Sequence, residues 1–277
     1  MNRAIALGTF DGLHRAHCKV LDLPKEYSKT AITFKKPPKM YSEVPQELIM
    51  DFSDKVAALE KLGFTQVVAL DFEQVKQIEP LDFLDYITEN FKPSLISCGF
   101  NYRFGKGGKG DTALLRDYCE KNGIECRICK EVRSGGETVS STAIRNLLKN
   151  GEIKKANSLM YEPFSFSGVV KSGDARGRQL GYPTVNQDYP DNLVKVKFGV
   201  YKSRVTVMGK TYSGLTNIGI RPTFETDHVT SETFIKRFSG DLYNKVVKIS
   251  LKEYLREEIK FASAEELRKQ IEIDLTK

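Results

Sequence analysis

Residues 4–17 read Ala4-Ile-Ala-Leu-Gly8-Thr-Phe-Asp-Gly12-Leu-His14-Arg-Ala-His17: a short apolar strand, a glycine-bearing turn and the start of a helix. Only three histidines occur in the chain, and two of them stand here, three residues apart. On a helix that spacing puts both imidazoles on one face, beside backbone N–H groups that attract anions. The pair reads either as a phosphate site or as surface histidines beside a turn, and the strand and glycines that precede it favour the first.

Outward from this stretch, Lys29-Thr-Ala-Ile-Thr-Phe34, Gln66-Val-Val-Ala-Leu70 and Ser94-Leu-Ile-Ser-Cys98 are further short strands. Helical patterns separate them. One runs from Asp54 to Gly63 with Ser53 as its N-cap, and another from Leu81 to Ile87 behind Pro80. Strands alternating with helices predict parallel pairing through right-handed crossovers, and such sheets bind ligands at the carboxyl ends of their strands. The pattern changes at Tyr161-Glu-Pro-Phe164, after the helical segments Ala143–Gly151 and Lys154–Met160. Beyond it, Phe164–Val170, Val200–Val207, Glu232–Ile235 and Lys245–Leu251 are β-rich and separated by turn residues, which predicts a small β-barrel. Ala264–Ile271, with Leu267 and Ile271 at helical spacing, predicts a terminal helix.

At 277 residues with 40% hydrophobic content the chain has material for two domains and too much apolar content for disorder. Its longest apolar runs are far short of the roughly 20 residues that span a bilayer. Gly8, Thr9 and Asp11 interrupt the N-terminal apolar stretch before a signal-peptide core forms, so the expectation is a cytoplasmic protein, monomeric or weakly oligomeric, with no membrane partner. A formal charge of +7 favours anionic ligands without choosing among them. Five cysteines with one close pair, Cys126 and Cys129, read as free thiols, and on a strand that pair would face apart.

The motif Gly-x-Phe-Asp-Gly-x-His-x-x-His resembles the signature of the nucleotidyltransferase superfamily. With Cys98-Gly-Phe-Asn-Tyr-Arg-Phe-Gly-Lys106, Gly110-Asp111 and Val139-Ser-Ser-Thr-Ala-Ile-Arg145 in order, it resembles the adenylyltransferase half of bacterial bifunctional riboflavin kinase/FAD synthetase. The resemblance implies that Gly8, Phe10, Asp11, Gly12, Asn101, Ser141 and Thr142 bind ATP and its phosphates, with His14, His17 and Arg145 at the reacting phosphate. Taken alone, Ser141 and Thr142 read equally as helix-capping residues. Gly105–Gly110 is no P-loop, because Asp111 follows where lysine is required. Pro37 stands where the family usually has histidine, Ala16 replaces a glycine and Ala143 an arginine. Adenylyl transfer slower than the kinase reaction is therefore expected, with Lys35, Lys36 or Lys39 covering part of the missing charge.

Between two apolar segments, Gly168–Asn186 packs glycines and basic residues, either a phosphate-binding loop or a glycine-rich hairpin. Thr184 and Asn186 offer neutral oxygens on one side of an extended chain, a donor set suited to Mg2+. The segment resembles the riboflavin kinase module, and Asn217–Phe224, Glu232–Ile235, Asp241–Tyr243 and Leu255–Phe261 match further family segments in order. The resemblance implies that Thr184 and Asn186 hold Mg2+ with ATP, that Gly173, Gly177, Arg178, Pro183 and Arg256 contact ATP or flavin, and that Glu232 is the base. On its own, Glu232 reads as a solvent-facing strand residue; Phe234 and Arg237 replace the usual histidine and aspartate. The implied architecture is α/β: a Rossmann-like nucleotidyltransferase domain with a parallel sheet over 1–160, then a riboflavin kinase β-barrel with a terminal helix over 161–277. The implied function is phosphorylation of riboflavin to FMN and adenylylation of FMN to FAD, without nucleic acid. The rivals are a kinase with a degenerate first domain and, from another class, a flavin-sensing nucleic-acid binder, for which the sequence offers no aromatic RNA-reading motif or recognition helix.

Overall fold

The computed structural model describes residues 2–43, 45–173, 177, 181–222 and 227–276. Its chain divides into two compact units, Met1–Ala143 with Leu159–Glu162, and Ile144–Ser158 with Pro163–Lys277.

The first unit runs β1 (Arg3–Leu7), α1 (Arg15–Leu21), β2 (Ser28–Phe34), α2 (Phe52–Lys61), β3 (Gln66–Leu70), α3 (Phe72–Val75), α4 (Pro80–Phe91), β4 (Leu95–Gly99), α5 (Thr112–Lys121) and β5 (Glu125–Cys129), then a hairpin of β6 (Arg133–Ser134) and β7 (Glu137–Thr138). Strands β1 to β5 form one parallel sheet in the order β3-β2-β1-β4-β5. Alternation along β1 builds two cores: Ala4 and Ala6 pack with Leu21, Ala58 and Leu59, while Ile5 and Leu7 pack with Leu84, Ile87 and Leu115. Helices therefore cover both faces, and the strand order reverses between β1 and β4, where such sheets take their ligands. Cys129 joins the first core and Cys126 the second, so the two thiols face apart as their parity requires.

Helix α2 starts two residues earlier than its sequence pattern suggests, because Asp51 and not Ser53 is the cap: the Asp51 carboxylate accepts from the Ser53 N–H at 2.9 Å. It stops at Gly63, whose φ of +84° lets Phe64 N–H reach back to Leu59 O at 3.1 Å.

Helices α6 (Ser141–Lys149) and α7 (Ile153–Leu159) follow. The second unit contains β8 (Ser165–Val169), β9 (Thr184–Asp188), β10 (Gly199–Val207), β11 (Lys210–Pro222), β12 (Asp227–Ile235), β13 (Val246–Arg256) and α8 (Ala264–Thr276). Its six strands form an antiparallel sheet in the order β8-β13-β10-β11-β12-β9, curled into a barrel. The curl leaves β8 facing β9 without a ladder between them. Three ties span this seam: Lys171 N–H donates to Asn186 O at 2.8 Å, the Lys171 ammonium pairs with the Asp188 carboxylate, and the buried Gln187 amide donates to Gly168 O and Val247 O at 2.6 and 2.9 Å. Tyr201, Tyr189, Phe164 and Phe166 fill the core with Val205, Ile218, Val247 and Ile249.

Candidate active sites

In the first unit, the turn after β1 is fixed mainly by polar groups spent on backbone. A Cβ at Gly8 would lie 2.7 Å from the Phe10 ring, so only glycine lets the chain fold back over that side chain. Phe10 and Leu13 hold positive φ values of 49° and 39°, a strain their complete burial offsets. Asp11 is buried, and its carboxylate accepts from the Ile49 and Met50 N–H groups at 2.9 and 3.3 Å, while Ser141 Oγ donates to Asp11 O at 2.9 Å. Gly12 packs against Ile49. Ser140 is the residue that caps α6, accepting from Ala143 N–H at 3.2 Å, which leaves Ser141 for the loop and Thr142 exposed.

His14 is the N-cap of α1, one residue ahead of the helix that the motif suggested it would sit on. Its Nδ1 accepts from His17 N–H at 3.3 Å, which places the ring proton on Nε2. The two imidazoles stack with centroids 3.6 Å apart, and Phe10 packs edge-on to His17 at 5.5 Å. Desolvation, then the charges of His14 and Lys55, hold the His17 pKa well below the ordinary imidazole value, so the ring is neutral at physiological pH. The pair is thus one stacked unit with a buried, neutral His17, and not two surface cations.

Sequence reasoning missed Lys55. It is 2% exposed, and its Nζ donates to Thr9 O at 2.9 Å, Phe34 O at 3.0 Å and Thr33 Oγ1 at 3.5 Å. Thr33 Oγ also donates to Thr9 O at 2.9 Å. Asn101 is exposed just past β4, the other strand of the reversal point. Arg145 is buried in α6 beside Ile144 and Leu148 in the chain, and its packing groups it with the second unit. In the Gly105–Gly110 stretch, Phe104 and Gly110 exchange backbone hydrogen bonds of 3.1 and 3.0 Å, and Asp111 then caps α5.

In the second unit a cavity of about 570 Å3 is walled by strand faces and by α8. Register explains its lining. Arg256 on β13 lies opposite Val200, Val200 opposite Asn217, Asn217 opposite Glu232, and Glu232 opposite Asn186. This single row crosses five strands, with neighbours about 5 Å apart. The next row carries Leu215, Phe234 and Thr184. Thr184, Asn186, Glu232, Arg256 and Gly177 all line the cavity. Gly173 lies against Asn186: a Cβ there would come within 2.6 Å of Asn186 Cγ. Pro183 is exposed at the start of β9 and outside the lining. Arg178 lies outside the described residues, as does much of the glycine-rich loop that carries it.

Among the lining groups given no role by sequence are the polar side chains of Asn217, Glu258 and Asp274. Asn217 Nδ2 donates to Glu258 Oε1 at 2.7 Å, and the Glu258 carboxylate rests on Gly219, where a Cβ would lie 2.7 Å from Glu258 Cδ. Arg256 Nε pairs with the Asp274 carboxylate at 2.8 Å, and Asp274, 1% exposed, also accepts from Gln270 at 3.0 Å. This pair fastens α8 to β13. Thr184, Asn186 and Glu232 together present hydroxyl, amide and carboxylate oxygens, the hard donors that fit a magnesium ion.

Comparison with known proteins agrees with both halves. The family described as FAD synthetase matches residues 1–143, and the family described as riboflavin kinase matches residues 160–277. The bifunctional riboflavin kinase/FMN adenylyltransferase of Bacillus subtilis (strain 168) is 31% identical over 283 residues, covering 98% of this chain and 89% of that protein. The protein of the same description from Escherichia coli (strain K12) is also 31% identical, covering 98% of this chain and 90% of that one. A crystal structure from Streptococcus pneumoniae, described as a macrolide-efflux protein, superposes with a TM-score of 0.90 at 26% identity over 99% of this chain and 93% of that one. Among the described residues, no helix of the present chain is long and apolar enough to cross a membrane. Two family matches in series and relatives of the same two-part description over nearly the whole length establish that the chain belongs to the bifunctional riboflavin kinase/FMN adenylyltransferase family.

Proposed function

We propose that the barrel unit, residues 161–277, phosphorylates riboflavin and that residues 1–160 adenylylate the FMN produced, each with ATP. The observation that carries the reading is the cross-strand row Arg256–Val200–Asn217–Glu232–Asn186, which sets a carboxylate between two amides on one cavity wall. In the kinase step the terminal ribityl hydroxyl loses its proton to Glu232 and attacks the γ-phosphorus of ATP; the bond to the bridging oxygen breaks and ADP leaves. Thr184 and Asn186 would hold Mg2+, which when bound neutralises phosphate charge. Leu215, Phe234, Leu267 and Ile271 give the flavin an apolar wall, with Arg256 oriented by Asp274.

In the second step an FMN phosphate oxygen attacks the α-phosphorus of ATP and pyrophosphate departs. His14, with Nδ1 occupied by the His17 N–H, offers its Nε2–H as a donor at the loop, while Asp11, Ser141 and Lys55 hold the loop in place. We place both reactions in the cytoplasm, on a monomer or weak oligomer, with no nucleic-acid or membrane partner.

Product analysis tests the whole reading. Riboflavin, ATP and Mg2+ are expected to yield FMN and then FAD, and supplied FMN to yield FAD with pyrophosphate. No FMN from riboflavin would refute the kinase assignment; FMN without FAD would leave a kinase alone.

A further inference from the structure

Lys55 is the only buried lysine among the described residues. Three N–H donors meet three acceptors: Thr9 O beyond the end of β1, and Phe34 O and Thr33 Oγ1 at the end of β2. With every donor used, the ammonium has none left for a phosphate. It acts on the site through the two strand ends it joins and through its charge. Around it stand Asp11 from the loop, Asp51 from the cap of α2, His17 from α1, and the Phe52 ring at 5.6 Å. Lys35, Lys36 and Lys39, which flank Pro37, are all exposed.

We propose that Lys55 is the positioning residue of adenylyl transfer: its ammonium locks the carboxyl ends of β1 and β2 into one fork under the Gly8–His14 loop and is the fixed cation of that site. The proposal rests on the adenylyltransferase reading above. A neutral side chain of similar length would fill the same space without the cost of burying a charge, so burial of the ammonium is itself a reason to look for a use of that charge. Burial pushes the Lys55 pKa down to about 8, against the opposing pull of Asp11 and Asp51. The proton is therefore lost in an accessible range. ATP and FMN phosphates are already fully ionised there.

The sign of the stability effect separates function from folding. The folded pKa lies below the unfolded lysine value, so between about 8 and 10.5 the unfolded chain binds the extra proton. Raising the pH through this window relieves the burial penalty of Lys55, and its contribution to stability rises while the proposed function is lost.

The test follows FAD formation from FMN and FMN formation from riboflavin in the full chain from pH 7 to 9.5, with the thermal midpoint recorded at each pH. For the unmodified protein, adenylyl transfer is expected to fall about tenfold per pH unit above the Lys55 pKa while riboflavin phosphorylation holds. Lys55→Arg, which stays charged, is expected to lose that alkaline limb. Lys55→Met is expected to lower kcat for FAD formation on the order of 10²-fold, with KM for ATP and FMN changed less than about threefold. A flat profile in the unmodified protein, or an alkaline limb kept in Lys55→Arg, overturns the inference even if Lys55→Met does not fold. So does a Lys55→Met protein with unchanged FAD formation. No FAD at any pH overturns the adenylyltransferase reading itself, and the inference with it.

Discussion

On the proposed reading the two sites solve the same problem, gripping a nucleotide's phosphates, with opposite means. In the parallel unit the polar side chains of the motif are largely consumed in shaping backbone: Asp11 on two amides, Ser141 on a carbonyl, Lys55 on two carbonyls and a hydroxyl. In the barrel the polar groups stand on strands and are aligned by register, so Asn217, Glu232 and Asn186 share a wall. A loop site is sensitive to whatever shapes the loop, including residues that never touch substrate. A strand-borne site is sensitive to the chemistry of each side chain and to the space beside it.

Substitutions can break or sharpen that contrast. The largest effect is expected from Glu232→Gln, which removes the proton acceptor from the row; FMN formation should fall by on the order of 10²- to 10⁴-fold while FAD formation from supplied FMN stays intact. An equal fall in both activities would show that the sites are not independent. His14→Ala is expected to cost on the order of 10²- to 10³-fold in FAD formation, with riboflavin phosphorylation unchanged, because a donor and the cap of α1 go together.

Gly173→Ala probes space alone, since the added Cβ would press on Asn186. A rise of about tenfold in KM for ATP in the kinase assay is expected, the equivalent of about 1.4 kcal/mol; an unchanged KM would mean that Asn186 does not hold the nucleotide. Asp274→Ala leaves Arg256 largely buried without its carboxylate, and a loss of about 3 kcal/mol in denaturant unfolding of the barrel unit is expected. At the small end, Lys61→Ala removes a surface pair with Glu162 at 2.6 Å in the first unit, and less than about 1 kcal/mol should be lost.

Much of this was readable from the chain. Short apolar segments between caps and turns gave the parallel strands, because strands buried on both faces need little else. The period of two in Thr184-Val-Asn186 gave two oxygens on one face. Strand β11 was harder: Gly214, Thr216, Asn217 and Gly219 interrupt its apolar pattern, and they are tolerated because Thr216 is satisfied by Ser203 and Thr233 at 2.8 and 2.9 Å while Gly219 makes room for Glu258. Lys55 looks in sequence like any polar position of an amphipathic helix, and only the carbonyls at two strand ends give it a reason to turn inward. Asp274 is hidden in the same way, on a helix that runs five residues past its apolar signal, to Thr276. The register row itself joins residues up to 70 positions apart, from Asn186 to Arg256, which no local pattern reports.

The seam between β8 and β9 gives the barrel the mechanics of a hoop closed by a buckle. Elsewhere around the hoop each strand is riveted to the next by a ladder, whereas here one backbone bond, one glutamine amide and the Lys171–Asp188 ion pair carry the closure. A hoop of this kind springs open at the buckle first, so the amide protons flanking it should exchange with solvent well before those of β10 and β11. Asn186 is part of the buckle through its carbonyl and part of the cavity wall through its side chain. A nucleotide gripping that side chain would therefore tighten the hoop, and its grip should be legible as slowed exchange along the seam.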